Sequence, residues 1–208
     1  MSDPRLFKPF TIGERFRITP PDEAPSTDGR ADLVIGRGAF GSGEHETTAS
    51  CLELLEQTGI ASGSHLLDLG SGTGILALAA LHLGAQSAVC IDISPDAVRT
   101  CESNCALNGF GDKVRNIAGT VETIGDESFD LILANIYGDL LLDLAPAIVK
   151  RLKPGGHLLL SGMLWEYDFE VRKCYEKLGC TQYKKRMMEE FCTHLYQRQQ
   201  TVQSATST

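Results

Sequence analysis

The sequence predicts an α/β fold: a doubly wound, mostly parallel sheet of seven strands with helices on both faces, closed by an antiparallel strand pair near the C-terminus. Three observations predict it. From His65 onward, short apolar runs alternate with segments of helical period, the pattern of parallel strands joined by crossover helices. The run Leu66-Leu67-Asp68-Leu69 passes directly into Gly70-Ser71-Gly72-Thr73-Gly74. Such a turn lets the backbone approach a ligand and open a helix without Cβ clashes. At 208 residues, the chain suits one domain that buries about 70% of its unfolded surface in a single core.

The elements follow in order. Residues 1–30 hold most of the prolines and a Pro20-Pro21-Asp22 turn, and read as an arm or linker with one short strand at Phe16-Arg17-Ile18. Gly36-Arg37-Gly38-Ala39-Phe40-Gly41-Ser42-Gly43 is too glycine-dense for a helix or a central strand, and is a loop. From Glu44 to Glu56, Thr48, Cys51, Leu52 and Leu55 fall on one helical face. His65–Leu69 reads as strand, Ile75–Leu83 as helix and Ala88–Asp92 as strand. Ser94–Leu107 reads as a helix with Ser94 as N-cap and Pro95 in the first helical position. Lys113–Ala118 and Phe129–Ala134 are strands. Asp139–Leu152 is a helix, its Leu141, Leu144, Ala145, Ile148 and Leu152 at helical spacing, stopped by Pro154-Gly155-Gly156. His157–Ser161 is a fifth strand, Trp165–Leu178 the last helix, and Thr181–Met187 with Phe191–Gln197 the closing antiparallel pair. The domain itself is expected over residues 31–200, and residues 201–208 read as a disordered tail.

In an open sheet of this kind the ligand lies beyond the carboxyl ends of the strands, where the strand order reverses. Asp68-Leu69-Gly70, Asp92-Ile93, Gly119-Thr120 and Asn135-Ile136-Tyr137 each follow one of the first four strands, so all should converge on one crevice. A carboxylate at the tip of the second strand, Asp92, can receive both hydroxyls of a ribose. The glycines run Gly70-x-Gly72-x-Gly74 rather than Gly-x-Gly-x-x-Gly, a spacing that favours S-adenosylmethionine over a dinucleotide. The glycine loop before Thr48 can fold over the same crevice.

Composition narrows the partners. The net charge is −8 with Lys and Arg dispersed, which gives no electrostatic footprint for a phosphate backbone, so no direct nucleic-acid binding is expected. The one basic cluster, Lys184-Lys185-Arg186, reads as a solvated strand edge. Seven cysteines without a Cys-x-x-Cys pair read as buried thiols of a reducing compartment, and Cys101 and Cys105 have no nearby His to complete a zinc site, so no metal is expected. No apolar run reaches the length of a membrane span or signal segment, so a cytoplasmic protein with no membrane partner is expected. Oligomeric state is not legible.

The residues resemble the class I S-adenosylmethionine-dependent methyltransferases and, more narrowly, the ribosomal protein L11 methyltransferase family. The resemblance rests on Ala39-Phe40-Gly41-Ser42-Gly43-Glu44-His45-Glu46-Thr47-Thr48, similar to that family's AFGTGTHPTT loop. It continues through the glycine turn, Asp92-Ile93-Ser94-Pro95, Ala134-Asn135-Ile136, Leu152-Lys153-Pro154-Gly155-Gly156 and Leu160-Ser161-Gly162-Met163-Leu164. It covers nearly all of the chain. It implies a Rossmann-like fold, S-adenosyl-L-methionine as cofactor, and Thr48, Gly70, Asp92 and Asn135 as cofactor-binding positions, with Phe40, Asp68, Gly72, Ile93 and Thr120 completing the expected set. Thr48 can instead be a packing residue on its helix face. His45, Glu44, Asn135 and Tyr137 are the candidates near the substrate, and for His45 a loop-ordering hydrogen bond is an equal alternative to catalysis. Trp165 lines the substrate cleft or packs at a helix start. Three departures stand out. The resemblance begins at the family's linker, so the N-terminal domain that recognises L11 is expected to be missing. Glu44 and Glu46 replace the usual Thr and Pro. Asn135-Ile136-Tyr137-Gly138 is not the Asn-Pro-Pro-Tyr box of enzymes that methylate planar nitrogens. The resemblance implies N-methylation of a protein lysine or α-amine, with a ribosomal protein as substrate. Methylation of another protein lysine, such as that of an electron-transfer flavoprotein subunit, or of a small-molecule amine is the second reading, and a non-catalytic S-adenosylmethionine-binding accessory protein the third.

Overall fold

A computed structural model of the protein describes residues 7–36, 43–60 and 62–200. Seven strands form the main sheet: β4 (His65–Leu69), β5 (Ser87–Asp92), β6 (Val114–Ala118), β7 (Phe129–Asn135), β8 (Leu152–Leu164), β9 (Cys180–Met187) and β10 (Phe191–Arg198). Their order is β6-β5-β4-β7-β8-β10-β9. The first five are parallel, and β10 runs antiparallel to both neighbours. The closing pair β9 and β10 is antiparallel as expected, with the reversed strand β10 inserted between β8 and β9.

Before this sheet lies a small one made of β1 (Phe10–Ile12), β2 (Phe16–Thr19) and β3 (Ala31–Val34). Only β2 was expected from the sequence. The other two strands are short and sit among prolines and polar residues, so their pairing rather than their composition makes them strands. Phe16, Ile18, Leu33 and Ile35 are buried in the core shared with α1 (Glu46–Leu55) and α2 (Ile75–His82). Glu56 fixes the turn between β1 and β2, accepting from the Glu14 and Arg15 amides at 3.2 and 2.9 Å.

Helix α2 is buried from Ile75 to Leu81, as a helix apolar all round must be. Helix α3 (Pro95–Leu107) begins as expected, with the Ser94 hydroxyl accepting from the Ala97 amide. Its Asn104 donates to the Thr73 carbonyl and accepts from the Gly36 amide, both at 2.9 Å, so one side chain ties the glycine turn to the end of the small sheet.

The expected single helix over Asp139–Leu152 is two: α4 (Gly138–Asp143) and α5 (Ala145–Arg151). Pro146 lies in the first turn of α5 and brings no N–H, so the ladder cannot run through it. Leu152 then belongs to β8, paired with Phe129; Lys153–Gly156 bulge out, and pairing resumes between Leu131 and His157. The last helix also starts later than expected. Trp165–Tyr167 form a 3-10 turn ahead of α6 (Asp168–Lys177). Helices α1 and α2 cover one face of the sheet and α4, α5 and α6 the other, each over its own apolar cluster.

Candidate functional site

Strand order reverses between β4 and β7, and the register sets four strand ends level. Leu69 stands beside Ile91 and Ala134, Asp92 beside Ala118, and Asn135 beside Ser161. Above them opens a cleft of about 640 Å³, within the range of small-molecule sites. Its wall includes Gly70 and Gly72 from the first turn, Asp92 and Ile93 from the second, Gly119 and Thr120 from the third, and Asn135 and Tyr137 from the fourth. The four turns meet as the topology rule predicts.

Each turn is shaped by its residues. The Gly70 and Ser71 amides donate to the Ile91 carbonyl at 2.8 and 3.1 Å, curling the chain back over β5. Gly70 has φ +72°, and a Cβ there would stand 2.5 Å from the Ile136 side chain. Asp92 is fixed from both sides: Gly72 donates to Oδ2 at 3.0 Å and Ser94 to Oδ1 at 2.9 Å. Its carboxylate is held at the cleft wall with acceptor capacity to spare. Ile93, 79% exposed, and Val121 offer apolar surface beside it.

Asn135 is held differently. Its Nδ2 donates to the Thr48 hydroxyl at 3.5 Å, and its buried Oδ1 has no partner. A buried acceptor left unpaired costs free energy and calls for a ligand donor. Gly162 lies against this amide, with φ +81° and room for no Cβ. It sits where β8 carries one more residue than β10 between the Leu160–His194 and Met163–Cys192 pairs, a bulge that aims Ser161 at Thr193.

Thr48 and Asp68 do not line the cleft. Thr47 and His45 do, whereas Thr48 is one position round the helix, buried behind Asn135. Asp68 points into the core and accepts from the Ala77 amide at 3.2 Å. Burial pushes its carboxyl up to about 7, against the lowering effect of that hydrogen bond and with a contribution from Asp92. Phe40 lies outside the described residues. Glu44 is exposed and is absent from the cleft lining, while Tyr137, 75% exposed, stands at the mouth. His45 caps α1: Nδ1 lies 2.8 Å from the Thr47 hydroxyl and accepts from the Thr47 amide at 3.3 Å, and the ring meets Phe191 edge-on. A ring accepting at Nδ1 spends that lone pair on the helix cap.

The lining also includes Thr47, Leu140, Leu144, Gly162 and Phe191, unanticipated from sequence. Phe191 comes from the far end of the chain and reaches the cleft only because β10 is inserted beside β8; no local motif signals it. Among the described lining residues the charged ones are Asp92 and Glu122, and none is Lys or Arg. The set fits a nucleoside with a polar tail: apolar faces for a base, a fixed carboxylate for ribose hydroxyls, backbone bared by glycine, and an unpaired amide oxygen.

Comparison with known proteins finds likeness along nearly the whole chain. The family model described as ribosomal protein L11 methyltransferase matches residues 2–199. Ribosomal protein L11 methyltransferases of Trichlorobacter lovleyi and Pelobacter propionicus are 46% identical over 177 residues and 40% over 200, covering 82% and 92% of this chain. The chain spans 58% and 64% of the length of those two relatives. Among solved structures, the ribosomal protein L11 methylase of Lactobacillus delbrueckii subsp. bulgaricus superposes with a TM-score of 0.83 at 27% identity, over 93% of this chain and all of that one. The 16S rRNA N2 G1207 methyltransferase of T. thermophilus, solved with AdoMet and guanosine, shares the fold at TM-score 0.61 and 22% identity, over 79% of this chain and 46% of that one.

Proposed function

Because this chain belongs to the ribosomal protein L11 methyltransferase family, we propose that it is an S-adenosylmethionine-dependent N-methyltransferase of protein amines, with ribosomal protein L11 as substrate. The observation that carries the reading is the Asp92 carboxylate, fixed by the Gly72 and Ser94 amides at the crossover of the sheet. Asp92 would receive the ribose hydroxyls, Gly70 and Gly72 would admit the amino-acid end against bare backbone, and Ile93, Val121 and Thr120 would border the base. The relative solved with AdoMet has the same fold. When bound, S-adenosylmethionine supplies an electrophilic methyl group on a sulfonium.

The chain's own residues would then bring an amine to that methyl in line. Asp92 and Glu122, with no cation among the described lining residues, favour entry of an ammonium group. A lysine amine has an ordinary pKa near 10.4, so it must shed a proton first. The largely apolar wall (Leu69, Ile136, Leu140, Leu144, Phe191) strips water from the ammonium and lowers that value. Asn135 Oδ1, unpaired in the cleft wall, accepts an amine N–H and fixes where the nitrogen lone pair points. Thr48, holding the other end of that amide, sets which atom faces the substrate. His45 orders α1 rather than removing the proton.

The test is to incubate the purified protein with methyl-labelled cofactor and host extract, split into ribosomal and ribosome-free fractions. Label in L11, abolished by Asn135→Ala, is the expected result. Label only in ribosome-free fractions would move the substrate to another amine, and no transfer to either would refute the enzyme.

A further inference from the structure

On the sheet face away from α1 and α2, three side chains unrelated to the cleft come together. Cys192 and His194 project from the same face of β10, two residues apart, and Asp168 opens α6 above them. Their thiol, imidazole and carboxylate donor atoms all lie within 4.8 Å of one another. Cys192 and His194 are fully buried, while Asp168 keeps about a fifth of its side chain exposed. We propose that Asp168, Cys192 and His194 form a metal site for Zn²⁺, distinct from the cofactor cleft.

The donor set is the first argument. One thiolate, one imidazole and one carboxylate match the ligands Zn²⁺ takes in tetrahedral sites, whose donor atoms stand about 3–4 Å apart around the ion. Closing the present cluster onto an ion needs side-chain shifts of about 1 Å, in which the wider gaps contract and the 2.7 Å His194 Nε2–Asp168 Oδ1 contact opens. The partially exposed edge at Asp168 leaves a fourth position to water.

The second argument is the outer shell. His194 Nδ1 lies 2.7 Å from the Tyr196 hydroxyl, and Nε2 lies 2.7 Å from Asp168 Oδ1. Without a metal, Nε2–H donates to the carboxylate and the tyrosine donates to Nδ1. With a metal, Nδ1–H donates to the tyrosine and Nε2 turns its lone pair to the ion, the arrangement that orients metal-bound histidines generally. Tyr196 is itself locked by stacking on Tyr175, whose hydroxyl donates to the Leu141 carbonyl. Lys185 competes: its ammonium sits 3.0 Å from Asp168 and already neutralises it. Because Lys185 is more than a third exposed, it can swing aside.

The site would tie β10 to the start of α6. That junction carries the Trp165–Tyr167 turn, and the Tyr167 ring packs against Gly138, next to Tyr137 of the cleft mouth. A bound ion would thus stiffen one wall of the cleft from behind without touching a ligand there.

Cobalt substitution tests this without reference to activity. The chelator-treated full chain is titrated with Co²⁺ and followed by absorption, then back-titrated with Zn²⁺. One Co²⁺ per chain with a thiolate charge-transfer band is expected, lost in Cys192→Ser, kept in Cys174→Ser and reached at lower Co²⁺ in Lys185→Ala. No band at stoichiometric Co²⁺, or a band that survives Cys192→Ser, would overturn the site. Should Cys192→Ser fail to fold, Asp168→Asn decides: at least tenfold weaker Co²⁺ binding supports the site, and unchanged binding overturns it.

Discussion

Gly162 lies at the cleft wall and Asp68 in the core behind it, and each makes a separate prediction. A Cβ on Gly162 would come within 2.7 Å of the Ile136 carbonyl oxygen and 3.0 Å of Asn135 Oδ1, at a φ that L-residues rarely adopt. Gly162→Ala should therefore cost about 1–3 kcal/mol in urea unfolding and weaken cofactor binding through the displaced Asn135. Unchanged midpoint and affinity would mean that the bulge relaxes freely. Asp68 bears on pH. Its folded carboxyl titrates at about 7, well above its ordinary value of 3.8, because burial disfavours the charge. Between about pH 4 and about pH 7 the folded state therefore holds a proton that the unfolded chain releases, and stability falls as pH rises through this window, by at most roughly 4 kcal/mol. Asp68→Asn should remove this part of the slope. Denaturant melts across the window test it, and identical slopes in both proteins would rule out the buried carboxyl as their source.

Among the elements, α1, β8 and β10 meet through a buried chain of hydroxyls, in which Thr193 lies 2.8 Å from both Ser50 and Ser161. Thr193→Val keeps the shape and strands two buried hydroxyls, so a loss of about 1–3 kcal/mol is expected. A neutral result in denaturant unfolding would show that the serines find other partners. These contacts also mark where the sequence was silent. The starts of β4, α2 and α3 were legible because apolar runs, glycines and the Ser94-Pro95 cap speak locally. Apolar spacing over Leu141–Leu152 suggested one helix because periodicity counts side chains, and the missing N–H of Pro146 is not among them. The extra residue at Gly162 and the insertion of β10 depend on pairing between distant segments, which no local pattern encodes.

For the molecule as a whole, alternation of strands and helices was enough to place the crevice, because the crossover of a doubly wound sheet follows from chain order. What it could not do was separate residues that line the crevice from those that stand behind it. Asp68 near the end of β4 and Thr48 in the first turn of α1 carry the right chemistry, yet rotation by one helical position and one step along a strand turns both inward. The basic cluster likewise acquires its meaning only in the fold, where Lys184, Lys185 and Arg186 pair with Gln57, Asp168 and Glu53. Among the described residues, no helix is long and apolar enough to cross a membrane. The central claim is that the cleft above the crossover holds S-adenosylmethionine through Asp92, and calorimetric titration of the cofactor into the wild-type chain and Asp92→Ala tests it most directly. One site per chain, weakened in the variant by about 1.5–3 kcal/mol, or roughly 10- to 150-fold, is the result predicted. Equal affinity in the two proteins would contradict the account.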